Sequence, residues 1–320
     1  MTKQNTLQEK FSLNGKGLFS GLDINISFCP AADNFGYKIC RTDLPGQPVI
    51  TATAENVIST KRGAILSENG IQVRSVKHAL AALYACGIDN CLIQVDAPEF
   101  PVLDRSSAIF VNKIIQAGIR EQAEKRIYYI PDHKIEYLDE ISGSHLILIP
   151  SDKLEIHTQI YYDSEVLDLQ GAIMHNLSEF PDEIAACRSF AFIKEIEFLL
   201  RKGLFNEDNL NNTIIVYDKQ IHQKELDKLT RMMNVEKRDA KAFGYITNTP
   251  LRFPNEPARH KIIDIIGDIS LIGQFIKGII IAICPGHQTN NKFARLISDD
   301  IRNKSLPKCR SSFRNIPMNT

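Results

Sequence analysis

Residues 258–273 read ARHKIIDIIGDISLIG, and this stretch limits the fold more than any other in the chain. On a helix, Ile262, Ile263, Ile265, Ile266, Ile269, Leu271 and Ile272 cover most of the circumference. His260, Asp264 and Asp268 fall at i, i+4 and i+8 and make a single polar stripe. The other faces are too apolar for a surface helix, so the stripe is expected inside. Buried carboxylates are costly unless they are paired or bound to a metal. A histidine and an aspartate one turn apart can grip one cation, and a buried hydrogen-bonded network would use the same pattern.

A second helix is expected at 76–86, within RSVKHALAALYAC, capped by Ser75 and ended by Gly87. It carries His78, with Lys77 immediately before it. The strand Cys91–Val95 follows, then the proline-bounded loop PEFPVLDRSS and a helix from Ser107 to Ala117. The C-terminal third repeats this order with a helix over Pro257–Gly273, a strand over Ile279–Ile283, the loop CPGHQTN and a helix from Asn291. His78 lies 28 residues before Ser106, and His260 lies 30 before Asn290. The repeat predicts an α+β fold of two similar halves, 1–122 and 123–320. They meet near the charged run at 120–126, which suits a linker or an exposed helix end. Nearer the N terminus, Leu22–Phe28 is apolar at even positions and reads as a strand, as does Gly36–Ile39.

A catalytic zinc takes three protein ligands and keeps one position for water, so His260 and Asp264 are one ligand short. His78, on the matching helix of the other half, is the natural third, although its own window also suits a core histidine bonded to a backbone carbonyl. His287, in the glycine-flanked loop PGHQTNN, suits a general acid or an electrostatic stabiliser, with Asp268 orienting it. In CRSFAFIKEIEFLLRKGL (187–204), Ser189 offers a hydroxyl either to a developing oxyanion or as a helix cap ahead of an amphipathic helix. The absence of GxSxG, Walker and GxGxxG motifs leaves serine-hydrolase, nucleotide-triphosphatase and dinucleotide-binding readings without support. Lys+Arg and Asp+Glu both number 38, so bulk charge makes no case for a nucleic-acid partner. Seven scattered cysteines without a CxxC pair, after a polar start, fit a reducing cytoplasm, with Cys86 and Cys91 as small core residues. The longest apolar run, KGIIIAIC at 277–284, is too short to span a bilayer, so no transmembrane segment is expected.

Taken in chain order, TLQEKFSLNGKGLFSGLDINISFCPA, RTDLP, SVKHALAALYACGIDN, APEFPVLDRSS, CRSFAFIKEIEFLLRKGL, NEPARHKIIDIIGD and CPGHQTNNK resemble one family along nearly the whole chain. That family is UDP-3-O-acyl-N-acetylglucosamine deacetylase, the zinc enzyme of early lipid A synthesis. The resemblance implies a sheet with a helical layer in each half and the helices packed between the two sheets. It implies Zn²⁺, with Fe²⁺ as the other option, on His78, His260 and Asp264. It further implies His287 as general acid or cationic stabiliser with Asp268 as its partner, Lys261 as a substrate contact and Ser189 as the oxyanion hydroxyl. An insert near 187–210 would form an acyl passage lined by Phe190, Phe192, Ile196, Leu199 and Leu204. The implied activity removes the N-acetyl group of an acylated UDP-amino sugar, and a cytoplasmic monomer is expected.

The chain departs from the family pattern at chemically important positions. Lys77 stands where the family has a glutamate that serves as general base. Phe19 replaces a histidine, Arg105 and Ala191 replace glycines, and Ser189 replaces a threonine. Glu207-Asp208-Asn209 takes the place of a glycine-glycine-serine stretch, and Cys284 that of a basic residue. A lysine beside a divalent cation accepts a proton only if its pKa falls steeply. The alternative to an active hydrolase is therefore a divergent, metal-binding paralogue with lost or altered catalysis, acting by binding or regulation.

Overall fold

The computed structural model describes residues 2–61, 63–201 and 212–305. Within it the alternating run near the N terminus is the strand Asp23–Pro30, with Ile24, Ile26 and Phe28 fully buried on one face. This strand pairs antiparallel with Phe11–Lys16 on one side and with Cys91–Val95 on the other. Cys91–Val95 runs parallel to Tyr37–Arg41, whose outer neighbour is the antiparallel strand Val49–Thr51. Numbered along the chain, these five strands lie in the order 1-2-5-3-4.

A second sheet has the same order, built from Ile135–Asp139, Ser144–Ile149, Gly278–Ile283, Leu154–Ile160 and Gln170–Met174. Its parallel pair again joins the third and fifth strands in chain order, Leu154–Ile160 and Gly278–Ile283. In both halves one helix enters the central strand, Lys77–Ala85 or Glu256–Ile269, and another leaves it, Ala108–Ala117 or His287–Ser305. The expected α+β architecture of two similar halves is the observed one.

The two entering helices cross between the sheets, which explains why both are apolar nearly all round. Ala79 to Tyr84 are buried without interruption, as are Ile262, Ile263, Ile265 and Ile266. The crossing is close because Gly267 has no side chain. A Cβ there would lie 2.8 Å from the Lys77 carbonyl oxygen and 3.2 Å from the Lys77 Cα. Tyr84 also bridges the halves. Its ring stacks on Phe275 at 4.4 Å between centroids, and its hydroxyl accepts the Ile276 N–H at 2.8 Å.

Several local expectations are corrected. Ser75 does not cap the first helix: it sits at φ 62°, and its hydroxyl donates to Glu99 at 3.2 Å, so the helix starts at Lys77. Gly87 does end that helix, at φ 72°, with its N–H on Tyr84 O and the Ile88 N–H on Leu83 O. The charged run expected to link the halves is instead the strand Ile119–Lys125, paired antiparallel with Lys3–Leu7. All its side chains but Gln122 are exposed while its backbone satisfies an otherwise unpaired edge, and charge on such an edge also discourages pairing between molecules.

An insert packs beside the crossing helices. Its strands Phe190–Phe192, Ile214–Tyr217 and Gly244–Ile246 form one small sheet, with helices Ile193–Arg201 and Gln223–Met232. Ile193, Ile196, Ile215, Tyr217, Leu226 and Leu229 give it a separate core, against which Leu18 and Phe19 rest. Cys91 is buried and Cys86 half-buried, and the described cysteines are free. No described helix is long and apolar enough to cross a membrane.

Candidate active site

The polar stripe is fixed from the backbone outward. His260 Nδ1 lies 2.9 Å from the Cys187 carbonyl oxygen, which can only accept, so the ring proton sits on Nδ1 and the Nε2 lone pair faces away. On that side, Asp264 Oδ1 is 3.4 Å from His260 Nε2. Both atoms are acceptors, and the two side chains are 2% and 4% exposed. Two buried acceptors side by side require a cation or a donor between them.

Lys77 supplies it. Its Nζ donates to Asp264 Oδ1 at 2.6 Å and lies 3.3 Å from His260 Nε2. Lys261 Nζ stands 3.4 Å from Asp264 Oδ2 and 5.3 Å from the centre of the Phe190 ring. Burial works to raise the Asp264 pKa, but Lys77, His260, His287 and Lys261 outweigh it and hold the carboxyl well below the usual range. Burial lowers His260 as well; Asp264 opposes that and Lys77 adds to it.

His78 meets this group edge-on, its ring centroid 5.5 Å from that of His260. Its Nε2 is buried and has no hydrogen-bond partner among the described residues. Burial, then the Lys77 charge and the neighbouring His260 ring, keep its pKa well below the ordinary value. The backbone at His78 is held by the Ser107 hydroxyl, which donates to the His78 carbonyl at 2.9 Å.

His287 approaches from the second half. The expected loop histidine is the first residue of the helix His287–Ser305. Its Nδ1 is 2.9 Å from Asp268 Oδ2, which also accepts from Asn290 Nδ2 at 2.9 Å, while its Nε2 faces Asp264 Oδ1 at 3.9 Å. Asp268 is 1% exposed and so acts only through this pair.

The structure thus brings His78, His260, Asp264, Lys261, His287 and Asp268 together, with Lys77 in their midst. Of this cluster Lys77 and His78 also line a cavity of about 500 Å³, whose other walls include Ser189, Phe190, Phe19 and Ile196. Ser189 is placed by its own backbone, the N–H on Arg105 O at 3.1 Å and the carbonyl accepting from Ile214 at 3.0 Å. Phe192 does not line this cavity. It turns onto Tyr162, 5.2 Å between centroids, beside a separate hollow of about 270 Å³. The Leu199 side chain, Leu204 and Glu207-Asp208-Asn209 lie outside the described residues. Arg105 adopts φ 55°, which explains why glycine suits that turn.

The sequence reading missed three supports. Glu99 accepts the N–H groups of Leu18, Phe19 and Ser20 and so anchors the wall formed by Phe19. Asn290 holds Asp268. Glu256 pairs with Arg188, the residue before Ser189, in a fully buried bridge at 2.9 Å. Glu256 and Asn290 each stand within a few residues of a singled-out histidine, yet polarity alone does not say which buried groups they meet.

A divalent metal implied on His78, His260 and Asp264 does not fit the residues as they are placed. The donor types are suitable, but the Lys77 ammonium fills the gap between them, and no three His, Cys, Asp or Glu side chains among the described residues are grouped to hold a metal ion.

The family model for UDP-3-O-acyl N-acetylglycosamine deacetylase matches residues 4–231 and 240–299. The chain is 50% identical over 302 residues to the bifunctional enzyme LpxC/FabZ of Porphyromonas gingivalis, covering 94% of this chain and 65% of that protein. The bifunctional enzyme LpxC/FabZ of Bacteroides thetaiotaomicron is likewise 50% identical, over 94% of this chain and 66% of its own length. The UDP-3-O-acyl-N-acetylglucosamine deacetylase of Syntrophus aciditrophicus is 32% identical, over 94% of this chain and 87% of its own. The chain therefore spans just under two thirds of the two bifunctional relatives.

Proposed function

The chain belongs to the UDP-3-O-acyl N-acetylglycosamine deacetylase family, and from that premise we propose that it hydrolyses the N-acetyl group of an acylated UDP-glucosamine in lipid A biosynthesis. The observation that carries this reading is the Asp268–His287 pair aimed at Asp264, whose partner Lys77 lines a largely apolar cavity of about 500 Å³. In the reaction, water adds to the acetamide carbonyl, the C–N bond breaks, acetate leaves and the amine takes a proton. His287 is oriented by Asp268 through Nδ1, so its Nε2 is the atom that carries a proton to the leaving amine. The Ser189 hydroxyl, on the cavity wall beside His78, donates to the oxygen that gains charge. Phe19, Phe190 and Ile196 offer an apolar wall to the acyl chain, and Lys261, 5.3 Å from the Phe190 ring, offers a cation to the anionic part of the substrate.

One observation favours the second reading, a family member that binds the acylated sugar nucleotide without turning it over. Position 77 presents an ammonium, which cannot take the proton of the attacking water, and loss of a general base costs roughly 10²–10⁴-fold in rate. Acetate release from UDP-3-O-acyl-N-acetylglucosamine, measured with a radiolabelled acetyl group, tests both. Deacetylation predicts slow release that disappears in His287→Ala and rises roughly 10²–10⁴-fold in zinc-loaded Lys77→Glu. Substrate binding with no release from either protein would establish the second reading and sink the first.

A further inference from the structure

We propose that Lys77 is a built-in substitute for the divalent metal, so that the site is complete in the folded chain without an ion. The inference rests on reading His78, His260 and Asp264 as the family's ligand set, and not on turnover. His260 Nε2 and Asp264 Oδ1, 3.4 Å apart, have the separation of two ligands on one tetrahedral ion with bonds of about 2.1 Å. The Lys77 ammonium already touches both, at 3.3 and 2.6 Å. Any zinc within about 2.1 Å of the same two atoms would lie less than about 4 Å from Nζ. Two cations at that separation, between side chains only 2% and 4% exposed, exclude each other.

The lysine is held there from behind. Its backbone lies against Gly267, where a Cβ would fall 2.8 Å from the Lys77 carbonyl oxygen, so Nζ projects from a closely packed helix crossing. Only rotation of the side chain, itself 19% exposed, into the adjoining cavity would clear the site for a metal. Zinc binding must therefore break the Lys77–Asp264 contact and leave the ammonium nearby. A single charge within ~4–6 Å of a carboxylate moves its pKa by about 1–3 units, and an ammonium held beside the zinc is expected to weaken binding by the same order, roughly 10- to 1,000-fold.

The test is zinc affinity by competition with a chromophoric chelator, together with metal content after purification. It compares the whole chain with Lys77→Ala, Lys77→Met and Lys77→Ala/His260→Ala. The unaltered chain is expected to carry little zinc and to bind it roughly 10- to 1,000-fold more weakly than Lys77→Ala. The alanine variant should hold about one equivalent, lost when His260 is also removed. Thermal unfolding gives a second readout. Added zinc should stabilise Lys77→Ala and Lys77→Met and leave the unaltered chain unmoved. Stoichiometric zinc in the unaltered chain, with the affinity of the alanine variant, would overturn the proposal. So would failure of both Lys77 variants to bind zinc at all. A Lys77→Glu protein that binds zinc but releases no acetate would count against the deacetylase reading and leave this inference standing.

Discussion

Glu256→Gln isolates the contact that ties the Ser189 segment to the His260 helix. Glu256 opens that helix, and Arg188 immediately precedes Ser189. Both side chains are 0% exposed. Oε1 accepts from Arg188 N at 2.8 Å and Nε at 2.9 Å; Oε2 accepts from Arg188 Nη2 at 3.0 Å and Arg252 N at 2.7 Å. An amide keeps the shape but turns one oxygen into a donor that faces donors, and it leaves the guanidinium charge uncompensated. Breaking one side of a buried ion pair costs about 3–5 kcal/mol. With a urea m-value of about 3 kcal/mol/M, the midpoint should fall by roughly 1–2 M at unchanged slope.

The pH dependence of the same pair has a definite sign. Burial opposes ionisation of Glu256, but the Arg188 side-chain and backbone bonds, with the Arg252 N–H, hold its pKa below the ordinary value. The stabilisation is therefore present above the unfolded value of about 4.3 and is lost as pH falls through the lower, folded one. The gap between wild type and Glu256→Gln should narrow below about pH 4. A loss under about 1 kcal/mol at neutral pH, or a gap that stays constant in acid, would refute the reasoning.

The contact between the halves gives two more tests. Gly267→Ala gains up to about 1 kcal/mol of helix propensity but forces a methyl onto the Lys77 backbone at 2.8–3.2 Å. Overpacking costs typically 1–3 kcal/mol, so a net loss of about 1–2 kcal/mol and a lower Tm are expected; an unchanged Tm would show that the helices do not touch there. Tyr84→Phe keeps the stack on Phe275 and strips the acceptor from the buried Ile276 N–H. It should cost about 1–3 kcal/mol by chemical denaturation, and wild-type stability would rule out the bridge.

Much of the architecture was legible because it is written in local periodicity. Ile24, Ile26 and Phe28 repeat every second residue, so any strand there buries one face. The stripe His260, Asp264 and Asp268 follows from the helical period, and Gly87 ends its helix because glycine tolerates positive φ. The repeated order of helix, strand, loop and helix foretold two halves. It did not reveal that the two sheets share the strand order 1-2-5-3-4, since pairing order is a long-range property.

The misreadings have the same origin. The run 120–126 looked like a linker because its charges show that it is exposed, not that its backbone pairs with Lys3–Leu7. His287 looked like a loop residue because proline and glycine precede it, yet the helix begins on the histidine itself. The resemblance places Phe192 with Phe190 on an acyl passage; the two share one face of their strand and both rings meet Tyr162, at 5.2 and 5.8 Å between centroids, but only Phe190 reaches the larger cavity.

By itself, then, the sequence determined which side chains share a face, which faces are buried and which residue types stand near the histidines. Those follow from backbone geometry and from the cost of leaving apolar surface in water. Only the tertiary structure decided that the Lys77 ammonium lies between His260 and Asp264, across 183 and 187 residues of chain. Packing of two helices at Gly267 sets that position, and no local pattern encodes where a long side chain will find its counter-charge.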